Sequence, residues 1–158
     1  AGLAVERRLV DDDRAGLARF QLGESLSVIS SFFNITYVRN TGAAFGFLAT
    51  AHSAFRVPFF IIVPLVALLI IGVMFRRLPE REVRMSSALA LVMGGAVGNL
   101  IDRVQHGFVV DFLDFHWKYK AHFPAFNVAD SAICIGVGLM MLDAARKEGE
   151  PDRVSTVV

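Results

Sequence analysis

The sequence is poor in the residues that cross-link a small protein or give it a strong charge. Cys134 is the single cysteine among 158 residues, so neither a disulfide framework nor a cysteine metal site is available within the chain. Lys and Arg total 16 against 15 Asp and Glu, and no basic block is long enough to indicate nucleic-acid binding. We therefore expect no nucleic-acid partner, and we expect Cys134, which lies in an apolar run, to be a small buried side chain.

Apolar residues, in contrast, are abundant. Hydrophobic side chains make up 54% of the sequence and charged ones 20%, which is too apolar for an ordinary water-soluble domain of this size. Three segments are candidate transmembrane helices: 57–75, 85–101 and 124–142. The second contains a Gly94-x-x-x-Gly98 spacing, which permits close approach of another helix. Buried core helices are the alternative, but so short a chain has little other material to surround three of them.

Basic residues flank these segments unevenly. Four arginines lie between the first and second segments, and Arg146 and Lys147 follow the third. The positive-inside tendency places both groups in the cytoplasm, so the stretch 102–127 is predicted to lie on the outer side.

The remaining parts of the chain are more polar. Residues 1–20 contain no apolar core of seven residues, so they predict neither a signal peptide nor a membrane span. Residues 24–48 include Phe33-Asn34-Ile35-Thr36-Tyr37, whose alternation favours a half-buried strand, followed by a turn at Asn40-Thr41-Gly42. The predicted fold class is an all-α integral membrane helical bundle with a small extracytoplasmic β-structure, built as one domain over residues 1–158.

Two acids lie where an apolar membrane protein rarely places them. Asp111 is flanked on both sides by apolar residues, and Asp130 lies near the start of the third apolar segment, where burying a charge is expensive. An outward-facing edge strand would explain Asp111, and a helix N-terminus capped by Asn127 would explain Asp130. Asp114 is a neighbouring acid that the sequence does not exclude.

Paired carboxylates offer a chemistry that neither offers alone. Two close carboxylates tend to share one proton, because like charges at short range cannot both ionise favourably. The ionised member can take a proton from water while the protonated member polarises a peptide carbonyl. Asp111 and Asp130 are therefore candidate catalytic residues of an aspartic peptidase, a mechanism that needs no metal.

Other polar residues support this interpretation or compete with it. Asn99, Asp102 and Arg103 recur at i, i+3 and i+4, so one helical face carries all three, either as a brace for the site or as an interfacial cap. His106 and the acids are possible metal ligands by residue type, but without a close His/Cys spacing no metal site is expected. The other histidines and two aromatic residues suit a membrane interface: His52, His116, His122, Trp117 and Tyr119.

Four motifs, taken in order and spacing, resemble those of one bacterial family. They are Tyr37-Val38-Arg39-Asn40-Thr41-Gly42-Ala43-Ala44-Phe45-Gly46, Gly94-Gly95-Ala96-Val97-Gly98-Asn99-Leu100-Ile101-Asp102-Arg103, Val109-Val110-Asp111-Phe112 and Phe126-Asn127-Val128-Ala129-Asp130-Ser131. The family is lipoprotein signal peptidase (signal peptidase II), and the resemblance runs from about Leu22 to Asp143. The four motifs together are specific, whereas any one of them alone is not.

The resemblance implies an activity, a site and a fold. Members of the family bind a diacylglyceryl-modified prolipoprotein within the membrane lipid and cleave its signal peptide just before the lipidated cysteine. They act at the outer face of the bacterial cytoplasmic (inner) membrane, use no cofactor and are the target of the cyclic peptide globomycin. The catalytic aspartates correspond to Asp111 and Asp130. Supporting or substrate-binding positions correspond to Asn40, Gly42, Asn99, Asp102, Arg103, Asn127 and Ala129.

The N-terminus departs from the family pattern. The family fold has four transmembrane helices, and the first ends in an Asp-Gln-x-Thr/Ser-Lys-like motif, whereas residues 1–20 are polar here. We therefore expect three transmembrane helices. Two other function classes stay open: a lipoprotein-binding paralogue with impaired catalysis, and a membrane transport or proton-relay protein that uses the same acids.

Overall fold

The computed structural model describes residues 20–42, 48, 51–118 and 121–148. The predictions for the polar N-terminus up to residue 19, for the motif residues 43–47 and for Tyr119 lie outside these ranges. The chain divides into two compact units. We call Ala1–Ala51 with Gly107–Asn127 the sheet unit, and His52–His106 with Val128–Val158 the helical unit.

The helical unit contains three long helices within the described residues: α1 over Ser53–Arg77, α2 over Val83–His106 and α3 over Val128–Glu148. All three are long and apolar enough to cross a membrane, which confirms the predicted fold class. His52 begins α1, since its Nδ1 accepts a hydrogen bond of 3.3 Å from the Ala54 backbone N–H. Two prolines lie inside α1, as membrane helices tolerate.

The third helix begins later than its apolar segment. Residues 124–127 precede α3, and Phe126 exchanges backbone hydrogen bonds with Leu113 at 2.8 and 3.1 Å. These backbone groups are therefore satisfied by pairing with a strand, so nothing favours extending the helix to Pro124. Apolar composition alone cannot distinguish the two outcomes.

Small residues allow α2 and α3 to pack closely. A side chain at Gly136 would lie 2.6 Å from the Ala88 carbonyl oxygen on α2, and one at Gly95 would meet the Ala129 carbonyl on α3. Of the predicted Gly94-x-x-x-Gly98 pair, Gly98 faces α3, since a side chain there would lie 3.5 Å from the Ala129 methyl group, whereas Gly94 faces open space. The prediction is therefore confirmed for Gly98 and wrong for Gly94. Gly95, which lies about 100° further around the helix than Gly94, allows a closer approach.

The outer surfaces of the helices are apolar. Large side chains such as Leu69 on α1 and Met141 on α3 are more than two-thirds exposed, at 69% and 68%. Cys134 is also exposed on α3, so the prediction that it is buried is wrong. In a chain with this many apolar surface residues, lipid provides the environment that a protein core would otherwise supply.

The basic residues that flank the helices lie at one end of the helical unit. Lys147 in the last turn of α3 bonds Glu82, just before α2, at 3.0 Å and Asp143 at 3.1 Å. The basic α1–α2 connection and the basic C-terminal turn of α3 therefore lie at the same end, as the predicted orientation requires. The opposite end carries the C-terminus of α2 and the N-terminus of α3.

The sheet unit is built on antiparallel strands: β1 over Ser25–Ile29, β2 over Phe33–Asn40, β3 over Val109–Trp117 and β4 over Ala121–His122. They are hydrogen-bonded in chain order. The β2–β3 pairing shifts register between Ile35 and Val38, which marks a bulge in β2. An aromatic cluster stabilises this unit: ring centroids 4.7 Å apart join Phe33 to Phe115, and 5.8 Å joins Phe115 to Phe126.

The strand predicted at Phe33–Tyr37 is confirmed, but its buried face is the polar one. Asn34 and Thr36 are each 7% exposed, whereas the alternating apolar residues are half-buried. Thr36 Oγ1 accepts from Ser25 Oγ at 2.9 Å and donates to the Glu24 carbonyl at 3.2 Å. These hydrogen bonds offset the cost of burying the Thr36 hydroxyl.

Candidate active site

The predicted site residues form two polar groups. Asp111, on β3, lies at the centre of the first. Its side chain is almost fully buried, with 2% of the residue exposed. Each carboxylate oxygen accepts one carboxamide hydrogen bond: Oδ2 from Asn40 Nδ2 and Oδ1 from Asn127 Nδ2, both at 2.9 Å. A carboxylate so deeply buried needs such donors, because desolvation without them costs several kcal/mol. The edge-strand alternative, an outward-facing Asp111, is therefore wrong.

Asn40 is oriented by a local turn. Its Oδ1 accepts the Gly42 backbone N–H at 2.9 Å, which fixes the carboxamide oxygen toward the chain that follows β2. The amide nitrogen then points to Asp111, since oxygen and nitrogen lie on opposite sides of the same group. Gly42 is buried beside it. The predicted turn thus positions a donor for the acid.

Asp114 occupies a different environment from Asp111. It lies three residues further along β3, and the odd spacing places it on the opposite face of the strand. There it accepts from Asn34 Nδ2 at 3.1 Å and contacts His122 Nδ1 at 3.3 Å. The structure therefore separates Asp111 from Asp114, an acid that the sequence does not exclude.

Asp130 lies in the second polar group, at the end of the helical unit opposite the basic flanks. It is half-buried in the first turn of α3, where the helix dipole favours a negative charge. Its Oδ1 accepts from Asn99 Nδ2 of α2 at 2.7 Å. A carboxamide therefore anchors this acid as well.

The last turns of α2 hold the predicted polar stripe. Asp102 and Arg103 are half-buried there, within one turn of Asn99. Arg103 donates from its Nη1 to the Asn99 backbone carbonyl at 3.3 Å, and its guanidinium lies 5.1 Å from the centroid of the Phe60 ring on α1. This cation–π contact ties α1 to the turn that carries Asn99. Phe60 therefore helps to hold this polar group, although no sequence motif indicates it.

Ala129 has a packing role beside Asp130. Its carbonyl group would collide with any side chain at Gly95, and its methyl group faces Gly98. A larger residue at 129 would therefore push α3 away from α2. This close approach allows the short Asn99 side chain on α2 to reach the carboxylate on α3.

The structure thus forms two groups from the predicted site residues. The sheet unit brings together Asp111, Asn40, Gly42 and Asn127. The helical unit brings Asp130 to Asn99 and places Asp102, Arg103 and Ala129 around them. The fold and these groups define a class: a multi-pass α-helical membrane protein whose two units each hold a carboxamide-anchored aspartate.

Comparison with known proteins narrows this class. The family model described as signal peptidase (SPase) II matches residues 14–146. The lipoprotein signal peptidase of Geobacter sulfurreducens is 55% identical over 127 residues, covering 80% of this chain and 78% of that protein. That of Shewanella loihica is 53% identical over 136 residues, covering 86% and 78%. A solved bacterial membrane enzyme structure aligns with a TM-score of 0.77 and 31% identity over 99% of this chain and 94% of that one.

These matches extend over most of the chain and include both polar groups. The chain belongs to the signal peptidase II family of peptidases. The family resemblance predicted from the four motifs is thereby confirmed.

Proposed function

We propose that this protein is an aspartic endopeptidase that removes the signal peptide from diacylglyceryl-modified prolipoproteins. Asp111 and Asp130 are its catalytic pair, and cleavage occurs just before the lipidated cysteine. The family membership and the lipoprotein signal peptidases among its relatives support this proposal.

The observation that carries the proposal is the carboxamide anchoring of Asp111. Two amide donors hold a carboxylate that is 2% exposed, and neither donor carries a charge. Donors on both oxygens fix the orientation of the carboxylate, which a residue that exchanges a proton with water requires. In an aspartic peptidase, one carboxylate accepts a proton from water while its partner polarises the scissile carbonyl.

Chain connectivity supports the pairing of the two acids. Asn127 bonds Asp111, and Asp130 follows Asn127 by only three residues in the sequence. In the proposed mechanism, the ionised aspartate activates a water molecule, which attacks the peptide carbonyl. The proton moves from that water to the ionised aspartate and later reaches the leaving amine.

The supporting residues keep both carboxylates in place. Asn40, fixed by the Gly42 turn, and Asn127 orient Asp111, while Asn99 orients Asp130. Arg103 braces the last turns of α2, from which Asn99 reaches across, and Asp102 lies in the same turns. A pair held in this way loses little orientational freedom when the substrate binds, which lowers the barrier of the chemical step.

A cleavage assay tests the activity. The full chain, purified in detergent, is incubated with a diacylglyceryl-modified prolipoprotein, and the products are resolved by gel shift and mass spectrometry. The proposal predicts a shortened lipoprotein whose first residue is the lipidated cysteine, and inhibition by globomycin. Precursor binding without product would instead identify a binding paralogue. Solute or proton flux in proteoliposomes without peptide cleavage would identify a transport protein.

We also propose that the acids face the outer side of the bacterial cytoplasmic membrane. Replacing the exposed Cys134 by Ser gives a background for single cysteines at residue 80, in the basic α1–α2 connection, and at residue 123, just before α3. In intact spheroplasts, an impermeant thiol reagent should label residue 123 and not residue 80. Labelling of residue 80 alone would reverse the proposed orientation.

A further inference from the structure

A second cluster of ionisable side chains lies in the sheet unit, away from the carboxamides that hold Asp111. Asp114 and His116 are two residues apart on β3 and therefore on the same face, and His122 of β4 is the register partner of His116. One potential ligand atom from each residue lies within 4.8 Å of the other two. We propose that these three side chains form a binding site for a divalent transition metal ion, zinc by preference.

The distances suit such an ion. Asp114 Oδ1 lies 3.3 Å from His122 Nδ1, and Asp114 Oδ2 lies 4.0 Å from His116 Nδ1. Zinc binds nitrogen and carboxylate oxygen at about 2.0–2.1 Å, which places neighbouring ligand atoms of a tetrahedral site roughly 3.3 Å apart. The Asp114–His122 edge already has this length, and the remaining distances among the three ligand atoms, all within 4.8 Å, must shorten by up to about 1.5 Å. Two imidazoles and one carboxylate leave the fourth position for water.

The three ligands differ in how firmly they are held. The His116 side chain is fully buried, that of Asp114 is 13% exposed, and that of His122 is 51% exposed. The two imidazole rings stack at 22° with centroids 5.1 Å apart. Metal ligation requires the ion to lie near the plane of each ring, so one ring must turn. His122, being exposed, can turn without disturbing the core.

Asn34 is not one of the three proposed ligands, but it orients one of them. Its amide donates to Asp114 Oδ2 at 3.1 Å and is 7% exposed, so it fixes the carboxylate on the β2 side. Ligating carboxylates in metal sites are commonly oriented by such a donor. The bound ion would connect β4, a strand of two residues, to the long strand β3. The expected role is therefore structural: the ion stabilises the β3–β4 hairpin.

Zinc binding to the full chain tests this proposal. The protein is purified in detergent without a histidine tag, stripped with a chelator and titrated with Zn²⁺ against a chromophoric competitor. We expect one zinc per chain. His122→Ala should weaken binding at least about 100-fold, because loss of a direct ligand exceeds the 10- to 100-fold effect of losing an outer partner. Asp114→Asn should weaken it similarly, and Asn34→Ala by about 10- to 100-fold.

His106→Ala is the matched control, since His106 lies on α2 and outside the cluster. Zinc at a hundredfold excess over its Kd should also raise the thermal midpoint by about 5–10 °C in the parent chain and not in His122→Ala. His122 is half exposed, so its substitution leaves the fold intact and the comparison interpretable. Unchanged affinity in His122→Ala, or no zinc bound by the parent chain at micromolar concentration, would overturn the proposal.

Discussion

Removing the hydrogen bond from Asn127 to Asp111 should lower stability and activity by amounts that can be worked out from the burial of the two residues. Asn127 is 5% exposed and donates to a carboxylate that is 2% exposed, so water cannot readily replace it. Serine at this position, directly before α3, keeps a side chain suited to a helix N-cap but is too short to reach Asp111. Asn127→Ser therefore removes the donor while leaving the helix start largely unchanged.

The expected loss is that of a hydrogen bond to a charged group, about 1.5–3 kcal/mol. In a chain of this length it should lower the thermal midpoint in detergent by about 3–12 °C. If the bond also orients Asp111 during turnover, kcat/KM for the lipidated precursor should fall roughly 10- to 150-fold, at about 1.4 kcal/mol per factor of ten. Differential scanning fluorimetry and the gel-shift cleavage assay measure the two effects separately.

Two comparisons make this prediction refutable. Thr36→Val removes hydrogen bonds from another buried polar residue of the sheet unit and should cost about 0.5–1.5 kcal/mol of stability, with cleavage unaffected. In an Asp111→Asn background, the stability loss caused by Asn127→Ser should shrink toward that of a neutral hydrogen bond. If Asn127→Ser costs the same stability in the Asp111→Asn background as in the parent chain, the negative charge of Asp111 does not strengthen this hydrogen bond.

The other predictions concern helix packing, the second acid and the basic end. Gly136→Val places a side chain against the neighbouring helix backbone and should destabilise the helical unit by about 1–3 kcal/mol or more in thermal unfolding. Gly138→Ala, at a position facing open space in the same helix, should instead stabilise it by up to about 1 kcal/mol, because alanine is the better helix former. Asn99→Ala removes the amide donor of Asp130 and should lower kcat/KM roughly 10- to 150-fold with normal membrane expression. Glu82→Gln weakens the solvent-exposed ion pair with Lys147 and should lower the free energy of unfolding by less than about 1 kcal/mol. A fall of the thermal midpoint by more than a few degrees would contradict this.

The helices and the family motifs could be predicted from the sequence because membrane composition is a strong signal. A run without charged side chains, such as 57–75, can satisfy its backbone in lipid only as a helix or in a closed barrel. Helix ends were less predictable. Phe126 is as apolar as a membrane helix requires, but its backbone pairs with that of Leu113 on β3, which lies in another part of the chain.

The resemblance indicates the supporting residues, but which of them meets which acid could not be predicted. Asp111 and Asp114 both lie among apolar residues, and only the register of β3 against β2 decides which of them meets Asn40 and which meets Asn34. A bulge in β2 sets that register, and its position has no sequence signature as strong as a turn. His116 was predicted at the membrane interface, yet strand pairing buries it beside Asp114.

The catalytic pair is tested most directly by replacing each aspartate with its isosteric amide. Asp111→Asn and Asp130→Asn, expressed at parental levels in membranes, should each abolish conversion of the lipidated precursor. Asp143→Asn is the matched control, because it changes an acid of low exposure at the far end of the same helix, α3, and should leave cleavage near the parental rate. Retained cleavage in either Asp111→Asn or Asp130→Asn would contradict the assignment of the pair.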